Sequence, residues 1–204
     1  MELKTKRLIL RPLKKSDWKD IVEGVGELDV AKMTKSIPYP YTKKDALEWI
    51  NKNIKKNRKK EKESYNFALE LKSEKKVIGD IDLSKINKFS GTATTGSWIN
   101  KQYWRKGYIT EAKIAVNDFA FNKLKLRKLN SEVFKNNKAS NATQKKVGYK
   151  LEGIEKEQVR SLSTKEIHDV NLYGLLKEDW RKVRLRLIKD LNKKIKNEHK
   201  GFKN

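Results

Sequence analysis

The apolar positions of this chain fall into short runs whose period changes from two to about 3.6 and back, with polar stretches between them. Leu8-Ile9-Leu10 reads as a first strand that Arg11-Pro12 stops, and Ser16-Asp17 then caps a helix running through Val25. Pro38 and Pro40 frame a loop carrying Tyr39 and Tyr41, after which Ala46, Leu47, Trp49, Ile50 and Ile54 recur at helical spacing. That helix ends in a basic run, residues 55–62, which we take as a solvated face. β-type segments follow at 65–71, 76–83 and 92–99, as in a meander. Helical spacing returns over 109–124. Then come a strand at 128–134, a short helix at 138–146 closed by a left-handed Gly148, and strands at 149–159 and 166–176. This order describes an α/β domain over residues 1–176, with a mixed, largely antiparallel central sheet and helices on both faces.

Residues 177–204 form a second unit, a basic amphipathic helical tail. Trp180, Leu187, Ile188, Leu191 and Ile195 fall on one stripe opposite a basic face. The segment holds eleven Lys and Arg against four Asp and Glu. Three uses fit such a helix: packing back on the domain, pairing with a second copy as a homodimer, or docking on ribosomal RNA or another polyanion. Because Lys193-Lys194-Ile195-Lys196 is almost wholly cationic, we expect packing through about Leu191 and a distal part left free for polyanions.

Composition narrows the chemistry. The 204 residues include 50 Lys and Arg against 26 Asp and Glu, a formal net charge of +24, which implies a field that attracts phosphates, acidic proteins or nucleic acid. Adaptation to heat leaves the same signature. With no cysteine and two histidines, the chain has no disulfide, no thiol nucleophile and no Cys-based metal site, and we expect no metal. The N-terminal apolar run is short and broken by Arg11, so we expect neither a signal peptide nor a membrane span, and a cytoplasmic protein.

The informative stretch is Tyr103-Trp104-Arg105-Lys106-Gly107-Tyr108-Ile109-Thr110-Glu111-Ala112, between a strand and a helix. A helix starting there aims unpaired N–H groups and the positive end of its dipole at whatever lies in front. Gly107 lets a guest approach the backbone, and Arg105 and Lys106 add charge. Pyrophosphate is a natural guest; an ordinary basic loop is the other reading.

This stretch resembles the acetyl-CoA pyrophosphate loop of the Gcn5-related N-acetyltransferase superfamily, in its ribosomal-protein (RimJ/RimL-like) branch. Other blocks are similar in the same order: Arg7-Leu8-Ile9-Leu10-Arg11-Pro12, Val77-Ile78-Gly79-Asp80-Ile81, Gly96-Ser97-Trp98-Ile99, Asn137-Lys138-Ala139-Ser140-Asn141, Val147-Gly148-Tyr149-Lys150-Leu151-Glu152-Gly153, and His168-Asp169-Val170-Asn171-Leu172-Tyr173. The resemblance implies a sheet splayed between its fourth and fifth strands with acetyl-CoA in the gap. The pyrophosphate would lie on Arg105, Lys106, Gly107, Tyr108, Ile109 and Thr110, and the pantetheine arm beside Trp98 and Ile99. It also implies that Ser140 donates to the departing thiolate. Ser140 as a helix cap is the alternative, and Asn137 is divided between a pantetheine contact and a turn residue.

The implied reaction is direct attack of a neutral primary amine on the thioester. The acceptor would be a protein N-terminal α-amine, such as that of a ribosomal protein. The alternatives are a small-molecule amine or a non-catalytic module binding CoA or rRNA. The chain departs from the pattern where Arg105 replaces a usual Gly, Ile109 a small residue, Gln144 a common Tyr, and Thr94 a Glu that serves relatives as base. Asp80 is our first replacement for that base, with Asp82 and His168 behind it. Tyr39, Tyr41 and Arg160 are the expected acceptor contacts.

Overall fold

The computed structural model describes residues 1–58 and 62–201; part of the basic run, 59–61, and the tail residues 202–204 lie outside them. The strands are β1 (Leu3–Lys4), β2 (Leu8–Arg11), β3 (Tyr65–Leu71), β4 (Lys76–Asn87), β5 (Thr92–Ile99), β6 (Lys128–Phe134), β7 (Lys150–Arg160) and β8 (Ile167–Leu176). They form one sheet in the order β1-β2-β3-β4-β5-β6-β8-β7. Every neighbouring pair is antiparallel except β5 and β6. That parallel pair joins only Thr92–Thr94 to Lys128–Asn130, and beyond Thr94 the two strands part.

Each face of the sheet carries its own core because strand side chains alternate. On one face Leu8, Leu10, Phe67, Leu69, Ile81 and Leu83 pack with α4 (Tyr108–Asp118), the end of α5 (Lys138–Lys146) and α6 (Lys177–Gly201). On the other, Ala68 and Val77 meet α1 (Trp18–Val25), α2 (Leu28–Ala31) and α3 (Lys43–Arg58). Buried Arg11 ties the first strand to the first helix. Its two terminal nitrogens donate to both Asp17 oxygens at 2.9 Å, and its Nε donates to Glu70 at 2.5 Å. Asp17 thus serves as an ion-pair partner of Arg11, and α1 itself starts at Trp18 after a 3₁₀ turn.

Several boundaries differ from the periodicity. Leu28–Ala31 forms a short helix in a region to which the periodicity assigns no element, and β4 continues to Asn87. The 109–124 helix is α-helical only to Asp118; Phe119–Lys123 makes a π turn, closed by the Leu124 N–H donating to the Phe119 carbonyl at 3.1 Å. Widening the last turn lets Phe119, Ala120 and Phe121 all face the core.

The tail does not stop packing at Leu191. α6 starts where β8 ends, and Trp180 Nε1 donates to Asp118 Oδ1 at 3.0 Å while Arg184 makes two bonds to the same carboxylate at 2.6 and 2.7 Å. From this anchor at the C-terminal end of α4, the helix runs back along α4. Leu187 and Ile195 are both buried, and the Lys194 ammonium donates to the Arg105 carbonyl, at the N-terminal end of α4. The stripe is therefore buried two helical turns past Leu187. The expectation of a free distal part fails over the described residues through Ile195. No described helix is long and apolar enough to cross a membrane.

Candidate active site

Two structural facts make a site. The first is the parting of β5 from β6, which leaves residues 95–99 of β5 without a β6 partner. The second is the turn that follows. A 3₁₀ turn at Lys101–Tyr103 leads into Arg105 at φ +62°, and Gly107 at φ +82° caps α4. Both angles are left-handed, which costs little at glycine and more at Arg105. The first α-helical bond is Glu111 N–H to Gly107 carbonyl at 3.0 Å, so the N–H groups before it have no intrahelical acceptor.

The turn is held from below by a buried carboxylate that sequence reasoning did not single out. Glu111 accepts from Thr5 Oγ1 at 2.7 Å, from the Arg7 backbone N–H at 2.8 Å and from Arg7 Nε at 2.8 Å. The Arg7 guanidinium lies 4.2 Å from the centre of the Tyr108 ring, and its Nη2 would stand 3.6 Å from a Cβ on Gly107. Arg105 and Lys106 are exposed beside it. Ile109, which threatened to crowd the turn, points into the first core. A left-handed glycine capping a helix, first-turn N–H groups outside the intrahelical ladder and cationic neighbours suit a pyrophosphate. The one carboxylate beneath them, Glu111, is already engaged by Thr5 and Arg7.

Under the splay lies a buried polar chain. Thr95 Oγ1 and the Tyr149 hydroxyl are 3.1 Å apart, Ser131 Oγ donates to the Thr95 carbonyl at 3.2 Å, and Gln144 Nε2 donates to Ser131 Oγ at 2.8 Å. Lys113 Nζ then donates to Gln144 Oε1 at 3.3 Å. Burial pulls the Lys113 amine down to about 8 against a smaller upward pull from Asp82. Nothing in the periodicity marked Lys113 as buried.

Thr94, Gly96 and Trp98 alternate on β5 opposite Ser84, Asp82 and Asp80 of β4, so both aspartates share the face on which Thr94 lies. Asp82 Oδ1 accepts the Gly96 N–H at 2.7 Å. Asp80 is buried and accepts from Asn66 Nδ2 at 3.1 Å, while its second oxygen has no partner. Burial, and then the neighbouring Asp82, push its carboxyl well above the usual carboxylate range. Tyr41 faces the same region: burial, then Asp45 and Asp80, raise its hydroxyl to about 12. Tyr41 packs against the second core with Trp98, which is paired with Asp80 across the strands. Tyr39 stays exposed. The indole of Trp98 packs into the second core, where a Cβ on Gly24 would stand 2.7 Å from it, so only its backbone remains for the gap.

The other predicted residues divide. Asn137 caps α5, its Oδ1 accepting the Ser140 N–H at 3.0 Å, so Ser140 is not the cap and its hydroxyl is not used for that purpose. Arg160 is exposed, and its Nη1 donates to the Lys165 carbonyl at 2.6 Å across the β7–β8 turn. That turn still borders the expected mouth, because Ser161 Oγ donates to the Thr34 carbonyl at 3.3 Å and the Leu162 N–H to the Lys35 carbonyl at 3.2 Å. Asn137 Nδ2 lies 3.5 Å from the Met33 carbonyl on the same loop. His168 stacks on Phe134 at 4.2 Å between centroids, as a structural histidine does. Among the described residues no group of three or more His, Asp or Glu could hold a metal ion.

The acetyltransferase (GNAT) domain family model matches residues 7–150. The chain belongs to this family. It is an acetyl-CoA-dependent N-acetyltransferase, and its curated relatives carry N-acetyltransferase names. The uncharacterized N-acetyltransferase YnaD of Bacillus subtilis is 30% identical over 88% of this chain and 99% of its own length. An acetyltransferase (GNAT family) from Bacillus anthracis is 28% identical, with a TM-score of 0.73 over 87% of this chain and 99% of that one. A ribosomal-protein-S5-alanine acetyltransferase from Vibrio fischeri shares the fold at 18% identity, with a TM-score of 0.75 over 88% and 98% of the two chains.

Proposed function

We propose that this acetyltransferase moves the acetyl group of acetyl-CoA to the N-terminal α-amine of a protein, of the kind a ribosomal protein presents. The observation that carries the cosubstrate half is left-handed Gly107 at the start of α4, set beside the unpaired stretch of β5. Residues 105–110 would hold the pyrophosphate, and the backbone of Trp98 and Ile99 would run beside the pantetheine arm. Acetyl-CoA supplies the thioester. The amine forms the new C–N bond, the C–S bond breaks, and the amine's proton passes to a base while the thiolate leaves.

The acceptor half rests on the carboxylates. Only a neutral amine attacks. At pH 7 an α-amine near pKa 8 needs about 1.4 kcal/mol to deprotonate, and a lysine near 10.4 about 4.6 kcal/mol. With Thr94 at the usual base position, the remaining acids on that face are Asp82, engaged by Gly96, and buried Asp80 beside Tyr41. Such an arrangement suits the easier proton. Asp80 is the base of this reading, and Ser140, free of capping duty, is the donor to the thiolate. Tyr41 and the loops around Met33 and Ser161 would bound the acceptor. The ribosomal-protein acetyltransferase of Vibrio fischeri, alike in fold, favours the same acceptor class.

The test is a screen of N-terminal peptides, lysine peptides and small polyamines with acetyl-CoA, reading released thiol. We expect turnover on N-terminal peptides to exceed that on the other amines. Faster turnover on polyamines would replace this acceptor with a small molecule. In parallel, calorimetry of Gly107→Val should show acetyl-CoA affinity lowered by tenfold or more, since a β-branched residue resists the left-handed angle. Unchanged affinity would remove the turn as the pyrophosphate seat.

A further inference from the structure

The distal part of α6 carries more positive charge than its packing requires. Leu191 and Ile195 suffice to seat it, yet Lys193, Lys194 and Lys196 surround them. Their position supplies a reason. α6 runs antiparallel to α4 and brings Leu191 and Lys194 to the N-terminal end of α4, the electropositive end at which an anion would sit. The lysines stand at that end.

Contacts show how close they come. A Cβ on Gly107 would stand 3.6 Å from Lys194 Cδ and 3.7 Å from Leu191 Cδ1. The Lys194 ammonium donates to the carbonyl of Arg105, the residue at φ +62°, which takes one of its three donors. Asp190, Lys193, Lys194 and Asn197 border an open depression on the flank of α6. Gly107 thus lies between Arg7, just before β2, on one side and α6 on the other.

We propose that the distal turns of α6 form a further wall of the phosphate site, with Lys194 supplying positive charge to the phosphates of acetyl-CoA across Gly107. This rests on the 105–110 turn being the pyrophosphate seat. It also gives the basic tail a task inside the enzyme in place of the polyanion docking expected from the sequence.

The experiment is calorimetry with acetyl-CoA at low and moderate salt on the full chain and three variants. Lys194→Gln should weaken binding about 3- to 10-fold and flatten the salt dependence. Lys194→Arg should stay close to wild type. Lys189→Gln removes the same charge from an exposed position about 140° around the helix and should change little. If Lys194→Gln behaves like Lys189→Gln, the effect is only the general field of the protein and the proposal falls. Tighter binding by Lys194→Gln also overturns it, making α6 an obstruction. Gly107→Val separates the two readings: if it loses affinity while Lys194→Gln does not, the turn stands and the role of α6 fails. Loss of acetyl-CoA binding by wild type itself would remove both.

Discussion

The amine of Lys113 donates to the amide oxygen of Gln144 at 3.3 Å, both side chains buried beneath the point where β5 leaves β6. Among the described residues no carboxylate pairs with this lysine within ion-pair distance, so its charge is poorly compensated. Lys113→Met should therefore raise stability at pH 7 by about 1–3 kcal/mol. The sign with pH follows from burial. The folded amine sits near 8 and the unfolded one near 10.4, so between those values the unfolded chain binds more protons and wild-type stability rises with pH. Urea unfolding at pH 7.5 and 9.5 should show the Lys113→Met advantage shrinking at the higher pH. A constant difference would mean that the lysine is not strained by burial.

Asp80 gives the opposite slope. Its folded pKa is raised, so stability is fully present below the unfolded value near 3.9 and is lost as pH rises through the folded value. Asp80→Asn should match wild type in stability near pH 3.5 and exceed it by about 1–2 kcal/mol at pH 7. As the base, Asp80 should also set the rise of rate with pH, and Asp80→Asn should flatten it. An unaltered rate profile beside the stability gain would leave Asp80 a purely structural acid.

Ser140 and Asn137 can be separated by the cap. Asn137→Ala removes the acceptor of the Ser140 N–H and should cost about 1 kcal/mol in thermal or urea unfolding. Ser140→Ala should leave unfolding within about 0.5 kcal/mol of wild type and lower turnover with little change in acetyl-CoA affinity. Loss of stability in Ser140→Ala comparable to that in Asn137→Ala would return the serine to a structural role.

Glu111→Gln leaves Arg7 near the turn without its counter-charge and should destabilise the protein by about 2–4 kcal/mol. Because Arg7 borders Gly107, acetyl-CoA affinity should change as well. Glu111→Asp, which keeps the charge, should recover part of both. Denaturant midpoints and calorimetry on the same samples check this.

Local signals were legible in the sequence. Residues 138–146 are helical as spaced, and Gly148 has φ +95° past the helix end, against Val183 of α6. The 103–112 turn is where Gly107 and its charges indicated. What depth does to a helix was not legible. α4 is covered by the sheet on one side and α6 on another, so Glu111, Lys113 and Asn117 are buried despite polar side chains that read as surface. Neither was the landing place of α6, since an apolar stripe says that a helix packs but not against which partner. Arg105 in a left-handed conformation escapes any rule built on glycine.

The three-residue parallel pairing of β5 with β6 makes the sheet two plates welded at one short edge. Strands β1 to β5 form one plate and β6 to β8 the other, and past the weld they are joined through side chains, the contact of the β7–β8 turn with the loop at Thr34 and Lys35, and the helices that bridge them. A molecule seated between such plates acts as a rivet, sharing load between halves that the backbone barely connects. Occupancy and rigidity are then one property, and the melting temperature of this enzyme becomes a gauge of how full its cleft is.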